Sequence, residues 1–111
     1  MQAGDLDRRI TIERYDTAPD AFNEGTKVWS PIVTVWASKK DVSDSERVAA
    51  QEVGAEISTR FQIRYSTQVK DVDPRDRLIC EGRVYSISAV KEIGRRDGLE
   101  LSAVARAERV E

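Results

Sequence analysis

The sequence of 111 residues contains no histidine and a single cysteine, Cys80. Without histidine the chain lacks the commonest general base near neutral pH and the commonest metal ligand. One cysteine can form neither an intrachain disulfide nor a multi-cysteine metal site. Cys80 lies within the apolar run DRLIC and reads as a buried structural thiol, because a free cysteine packs as a small hydrophobe. A surplus of basic charge is missing too: eighteen Lys and Arg face twenty Asp and Glu, for a net charge of -2. Surfaces dedicated to gripping phosphate are usually clearly basic, so a dedicated nucleic-acid binder is not expected. The opening MQAGDLDRR is polar and charged, and no apolar run is long enough to span a bilayer. The expectation is a cytoplasmic protein with no membrane partner.

Neither a GxGxxG nor a GxxxxGKS/T phosphate cradle occurs, which excludes nucleotide binding by those routes. Carboxylates such as Asp71 and Asp73 lack the further spaced oxygen ligands that a hard cation needs. The serines have neither a histidine nor a suitably placed lysine to activate them. No catalytic residue, cofactor site or metal site is therefore expected, and the chain does not read as an enzyme.

What is present is a pattern of alternation. Hydrophobic residues make up 40% of the chain and charged ones 34%, which suits a single globular domain over 1–111 with a heavily charged surface. From Arg60 to Val104, the runs RFQIRY, DRLICEGRVYSISAV and GLELSAV follow one another with short polar breaks, and they predict an antiparallel meander. Phe61, Ile63 and Tyr65 share one strand face; Tyr85, Ile87 and Ala89 repeat the period, as do Leu99, Leu101 and Ala103. Glu81-Gly82 supplies a two-residue hairpin turn between DRLIC and RVYSI.

Ahead of these runs, Ile10 and Ile12 alternate with polar residues in a first strand. Asp16 to Thr26, with Pro19, Asn23 and Gly25, has the chemistry of a loop. In KVWSPIVTVWASKK, Pro31 removes a ladder donor and predicts two short pieces or one bent strand. Apolar groups on both faces beyond the proline place Trp36 in the core; Trp29 is not placed by the pattern. The strand period fails in DVSDSERVAAQEVGAE, where Ser43 and Glu46 form a capping box and predict a helix from Asp44 to Val53 with Gly54 as its cap. Its stripe of Val48, Ala49 and Val53 is thin, which fits a surface helix over a barrel end and a mobile interaction segment equally. Ser66 to Asp76 reads as a solvated polar loop, and EIGRRDG presents Arg95 and Arg96 at a loop tip toward solvent or a subunit partner.

The fold class predicted is all-β and mainly antiparallel, a six- to seven-stranded barrel or sandwich with one short helix or long loop at about residues 43–54. In order and spacing, the phrases AGDLDRRITIERY, DAFNEG before VW, VWASKKDVSDSERVAAQE, STRFQIRY, DRLICEGRVYSISAV and GRRDGLEL resemble the phage head-tail adaptor or head-tail joining proteins of tailed phages, prophages and gene transfer agents. The resemblance implies a small β-barrel assembled as a homo-oligomeric ring beneath the portal or connector protein, bound on its other side by the tail terminator or tail proteins. DNA would pass through the ring without sequence-specific binding, or be held in by a stopper loop. It also implies a place in the virion neck after assembly in the bacterial cytoplasm, with Val42 to Ser58 as the ring-contact or lumen-directed segment. The candidate interface or channel residues are Ser43, Glu46, Arg47, Gln51, Glu52, Asn23, Glu24, Arg95 and Arg96. The alternative expectation is a small barrel binding single-stranded nucleic acid through Phe61, Tyr65 and Tyr85 beside Arg60, Arg64 and Arg83, a platform that exists only if those aromatics are exposed.

Overall fold

The computed structural model describes residues 3–18, 26–54 and 56–109. A short 3-10 turn at Ala3–Asp5 leads into β1 (Arg8–Ala18) and β2 (Thr26–Asp41). Helix α1 (Asp44–Glu52) precedes β3 (Thr59–Arg64), and β4 (Asp76–Cys80), β5 (Arg83–Ile93) and β6 (Gly98–Arg109) follow. The six strands close into a barrel in the order β1-β2-β3-β6-β5-β4, with every pairing antiparallel. Each strand is paired on both sides along part of its length, which limits the exposed edges of a small β protein.

The barrel corrects the expected meander. β4, β5 and β6 do form one, but β3 pairs with β6, with Phe61 opposite Leu101 and Ile63 opposite Leu99. Two three-strand units, β1-β2-β3 and β4-β5-β6, are joined by the β3–β6 and β1–β4 ladders. Alternation sets which residues line each strand's inner face, but partner choice is decided by loop geometry and by which faces fit across the core.

Inside the wall, Ile10, Ile12, Phe61, Ile63, Leu78 and Leu101 are fully buried. Phe61 meets Tyr85 edge-on at a centroid distance of 5.0 Å, an arrangement that the ring quadrupoles favour. Cys80 is buried among them, and burial raises its thiol pKa above the usual range. Glu81 and Gly82 both have positive φ (53° and 79°), as a tight I′ hairpin turn requires.

Three local expectations shift. Asp16–Ala18 and Thr26 belong to strands, where β1 and β2 pair out to Ala18 opposite Thr26; residues 19–25, with Asn23 and Glu24, lie outside the described residues. A register shift between Ile87 and Ala89 turns Ala89 outward and packs Val90 against the core. The segment after β3 is no purely solvated loop, since Val69 and Val72 are buried in the core cluster. Asp76 is buried as well and takes a paired hydrogen bond from Arg14, through Nε at 2.8 Å and Nη2 at 3.0 Å. That bond is the first cause of the raised Arg14 pKa.

Because every neighbouring pair is antiparallel, successive connections alternate between the two barrel ends. One rim carries the β2–β3 connection with α1, the Glu81–Gly82 turn, the start of β1 and the end of β6; it is called the helix rim. The opposite loop rim carries 65–75 and 94–97.

Candidate functional site

At the helix rim the excursion between β2 and β3 is pinched shut at its base. Val42 N–H donates to the Ser58 carbonyl at 3.0 Å, and Ser58 N–H donates to the Ala103 carbonyl at 2.9 Å. The Ser58 hydroxyl accepts from Ala105 N–H at 2.9 Å. Above this base, Ser43 caps α1 by accepting from Glu46 N–H at 3.2 Å, the geometry read from the capping box. Gly54 beyond the helix has φ +77°, a conformation that glycine adopts without a Cβ penalty.

α1 has no buried residue. Glu46 forms an ion pair with Arg60 on β3, and Arg60 Nε also lies 3.5 Å from Glu100 of β6. Glu100 in turn accepts from Gln62 at 3.3 Å. Glu46 and Ala50, four residues apart on the half-buried side, therefore face the barrel, while Asp44, Val48, Gln51 and Glu52 stand exposed. Arg47 is exposed too, paired with Asp44 on the same helix. The polar groove beside this cluster has a volume of about 790 Å³ and is lined by Asp5, Asp7, Lys39, Lys40 and Arg60 among others. Its mixture of signs gives it no bias toward phosphate.

Arg95 and Arg96 lie on the loop rim, at the end of the barrel opposite α1. Both are exposed. Arg96 has φ +61°, and its guanidinium sits 6.0 Å from the centre of the Tyr65 ring. Gly94, with φ +60°, and the Asp97 N–H bonded to the Ile93 carbonyl at 3.1 Å close the turn. The predicted site residues thus divide between two surfaces: Ser43, Glu46, Arg47, Gln51 and Glu52 come together at one end, and Arg95 and Arg96 at the other.

A third surface was missed from the sequence. Trp36, expected in the core, is 50% exposed on the outer wall with the Arg9 guanidinium 5.1 Å from its ring centre. Beyond the bulge at Ile12/Glu13 the two faces of β2 are those the alternation gives, but only one of them is covered by the core. With Ala37 fully buried and Val33 and Val35 packed against the core, Ile32, Thr34 and Trp36 must point outward. On the same wall, Thr11 and Thr34 share a hydrogen bond of 3.0 Å, and Tyr15 meets Trp29 at 5.2 Å with Arg77 stacked 4.2 Å from the Trp29 ring centre. Fully buried Ala37 would have flagged the outward Trp36, had its inward position been readable.

Beside Trp36, β2 pairs with β3 only from Ala37 onward. The gap this leaves is a groove of about 660 Å³ bordered by Leu6, Val35, Trp36, Arg64 and Ser66. The aromatics proposed as a stacking platform do not lie there: Phe61 is fully buried, Tyr85 is 4% exposed and Tyr65 packs against the core. Among the described residues no group of three or more His, Cys, Asp or Glu is arranged to hold a metal ion, and no helix is long and apolar enough to cross a membrane.

Comparison with protein families matches residues 1–106 to the family described as phage head completion protein. A search of curated proteins finds no match. Among solved structures, the solution structure of a protein from Shigella flexneri 2a superposes with a TM-score of 0.78 at 30% identity, covering 98% of this chain and 100% of that one. A chain in the virion of a native gene transfer agent particle superposes with a TM-score of 0.56 at 19% identity, covering 88% of this chain and 92% of that chain. At that identity the likeness is one of fold.

Proposed function

Because the chain belongs to the phage head completion protein family, and so is a structural protein of phage head-tail assembly, we propose that it is a neck protein whose copies form a ring between portal and tail. In this reading the ring joins head to tail and lets DNA pass or holds it in. The portal or connector protein docks on one side and the tail terminator or another tail protein on the other. The particle is a tailed phage or a phage-like particle such as a gene transfer agent, assembled in the bacterial cytoplasm.

The observation that carries the reading, within this family, is the separation of exposed groups onto two opposite rims of a rigid closed wall. An adaptor needs two faces that bind different partners at once, held apart by something that does not deform. Here the helix rim, with Lys40, Asp41 and Gln51 exposed, lies at one end and Arg95 with Arg96 at the other, with six strands between them. A net charge of -2 suits a passage through which DNA slides without the adhesion that a basic lining would cause.

The test is deletion of the gene from the phage or prophage that encodes it, followed by electron microscopy of the particles. Heads packed with DNA but lacking tails, or leaking their DNA, are the expected outcome. Normal tailed and infectious particles would overturn the proposal.

A further inference from the structure

The groove beside Trp36 and the outward face of α1 complement each other, and they lie on different parts of the same molecule. The groove combines an apolar floor of Leu6, Val35 and Trp36 with two cations at its border, Arg64 and the Arg9 that stacks on Trp36. The exposed side of α1 and its exit present Val48, 53% exposed, and Val53, 81% exposed, beside the carboxylates of Glu52 and Glu56, with Asp44 paired to Arg47 on the same helix. One surface is apolar and basic, the other apolar and acidic. Within one copy the two do not meet, because Glu46 and Arg60 hold α1 at the helix rim with its exposed face turned away from the barrel.

Resting on the ring reading above, we infer that the Trp36 groove receives α1 of a neighbouring copy, so that the ring closes by a head-to-tail contact of helix in groove. Such a contact uses different patches on the two partners and generates a closed ring whenever its rotation divides a full turn. Trp and Arg are the residue types that anchor interfaces most strongly, and a short amphipathic helix laid in an apolar groove is a recurring mode of recognition. The complementary charges select the acidic helix over other exposed segments and bar two grooves from meeting each other. A helix of nine residues covers a small area, so a lone contact is weak. Each copy in a closed ring is held on two sides, and the assembly gains from that.

The experiment uses full-length protein with cysteine placed at Val48→Cys or at Thr34→Cys, a short bismaleimide cross-linker, and concentrated samples with and without purified portal; native Cys80, being buried, supplies the background control. Covalent dimers from the mixture of the two variants, from neither alone, and a ladder of higher species from the double variant are expected. Arg64→Glu should lower the dimer yield about tenfold, and Glu52→Arg in the partner should restore it to within about twofold. Dimers from Val48→Cys alone would mean that copies meet like to like and would overturn the inference. Rings visible by electron microscopy without cross-links would place the subunit contact elsewhere, overturning the inference while leaving the neck role intact. Absence of any assembly, even on the portal, would overturn both.

Discussion

Replacing Arg14 by methionine tests whether the β3–β4 connection is held by charge. Asp76 has a fully buried side chain that accepts two hydrogen bonds from Arg14 and one from Asp73 N–H at 3.1 Å. Arg14 Nη2 also donates to the Asp71 carbonyl at 3.0 Å, so one guanidinium ties the connection to β1 at two points. Methionine fills most of the same space but leaves the carboxylate buried with one backbone donor. Stranding a buried charge costs about 3–5 kcal/mol; because the Arg14 side chain is 34% exposed, water can reach part of the site, and the lower end, about 3 kcal/mol, is expected. For a domain of this size that corresponds to a fall in Tm of about 12 °C. Asp76→Val alone should cost less, about 2 kcal/mol, since the freed Arg14 can turn to solvent. The double variant should recover to within about 1 kcal/mol of the parent, because neither charge is then stranded. Urea denaturation of the four proteins, with Tm as a check, completes the cycle. A cost below about 1 kcal/mol for Arg14→Met, or a double variant as unstable as the sum of its parts, would refute the reasoning.

Gly94→Ala places a Cβ against the Asp97 carboxylate at a φ of +60°; a loss of about 1–2 kcal/mol is expected, read as a lower urea midpoint with an unchanged slope. Burial raises the Cys80 thiol pKa, so native protein should react with a thiol reagent far more slowly than urea-unfolded protein. The stability that this thiol contributes is present below the pKa of the unfolded thiol and fades as pH rises toward the folded one, so the advantage of the parent over Cys80→Ala should be constant up to neutral pH and shrink between neutral and alkaline pH. Glu46→Ala removes the ion pair to Arg60 and should speed amide exchange within α1 while moving the global urea midpoint by less than about 0.5 kcal/mol equivalent. An unchanged exchange rate in α1 would show that the ion pair does not hold the helix.

Much of the wall could be read from period alone. Phe61 and Ile63, Tyr85 and Ile87, and Leu99, Leu101 and Ala103 all face inward as their alternation requires, and Ser43 caps α1 through the predicted bond. These features depend on residues close in sequence. The pairing of β3 with β6 was not legible, because a period of two marks faces but names no partner. Ala89 was misplaced because it lies just beyond a register shift, and a bulge flips the inward face without leaving a mark in composition; Trp36 was misplaced because apolar residues on both faces of β2 concealed that only the face of Val33, Val35 and Ala37 is covered. The buried Asp76 was hidden because its partner, Arg14, lies on another strand. For the candidate site, the capped helix and the arginine turn were legible, whereas their placement at opposite rims follows only from the closed strand order.

That closed order has a practical consequence. With six strands, an even count, the chain enters the wall at Arg8 and leaves it at Arg109 on the same side, alongside α1. A fluorescent or affinity label attached at either place would decorate the helix end of the barrel and leave the arginine turn clean, and in a ring built as proposed above it would mark one side. Polarity of the neck within a particle could then be assigned at low resolution, from which side the extra density appears on, before any side chain is visible.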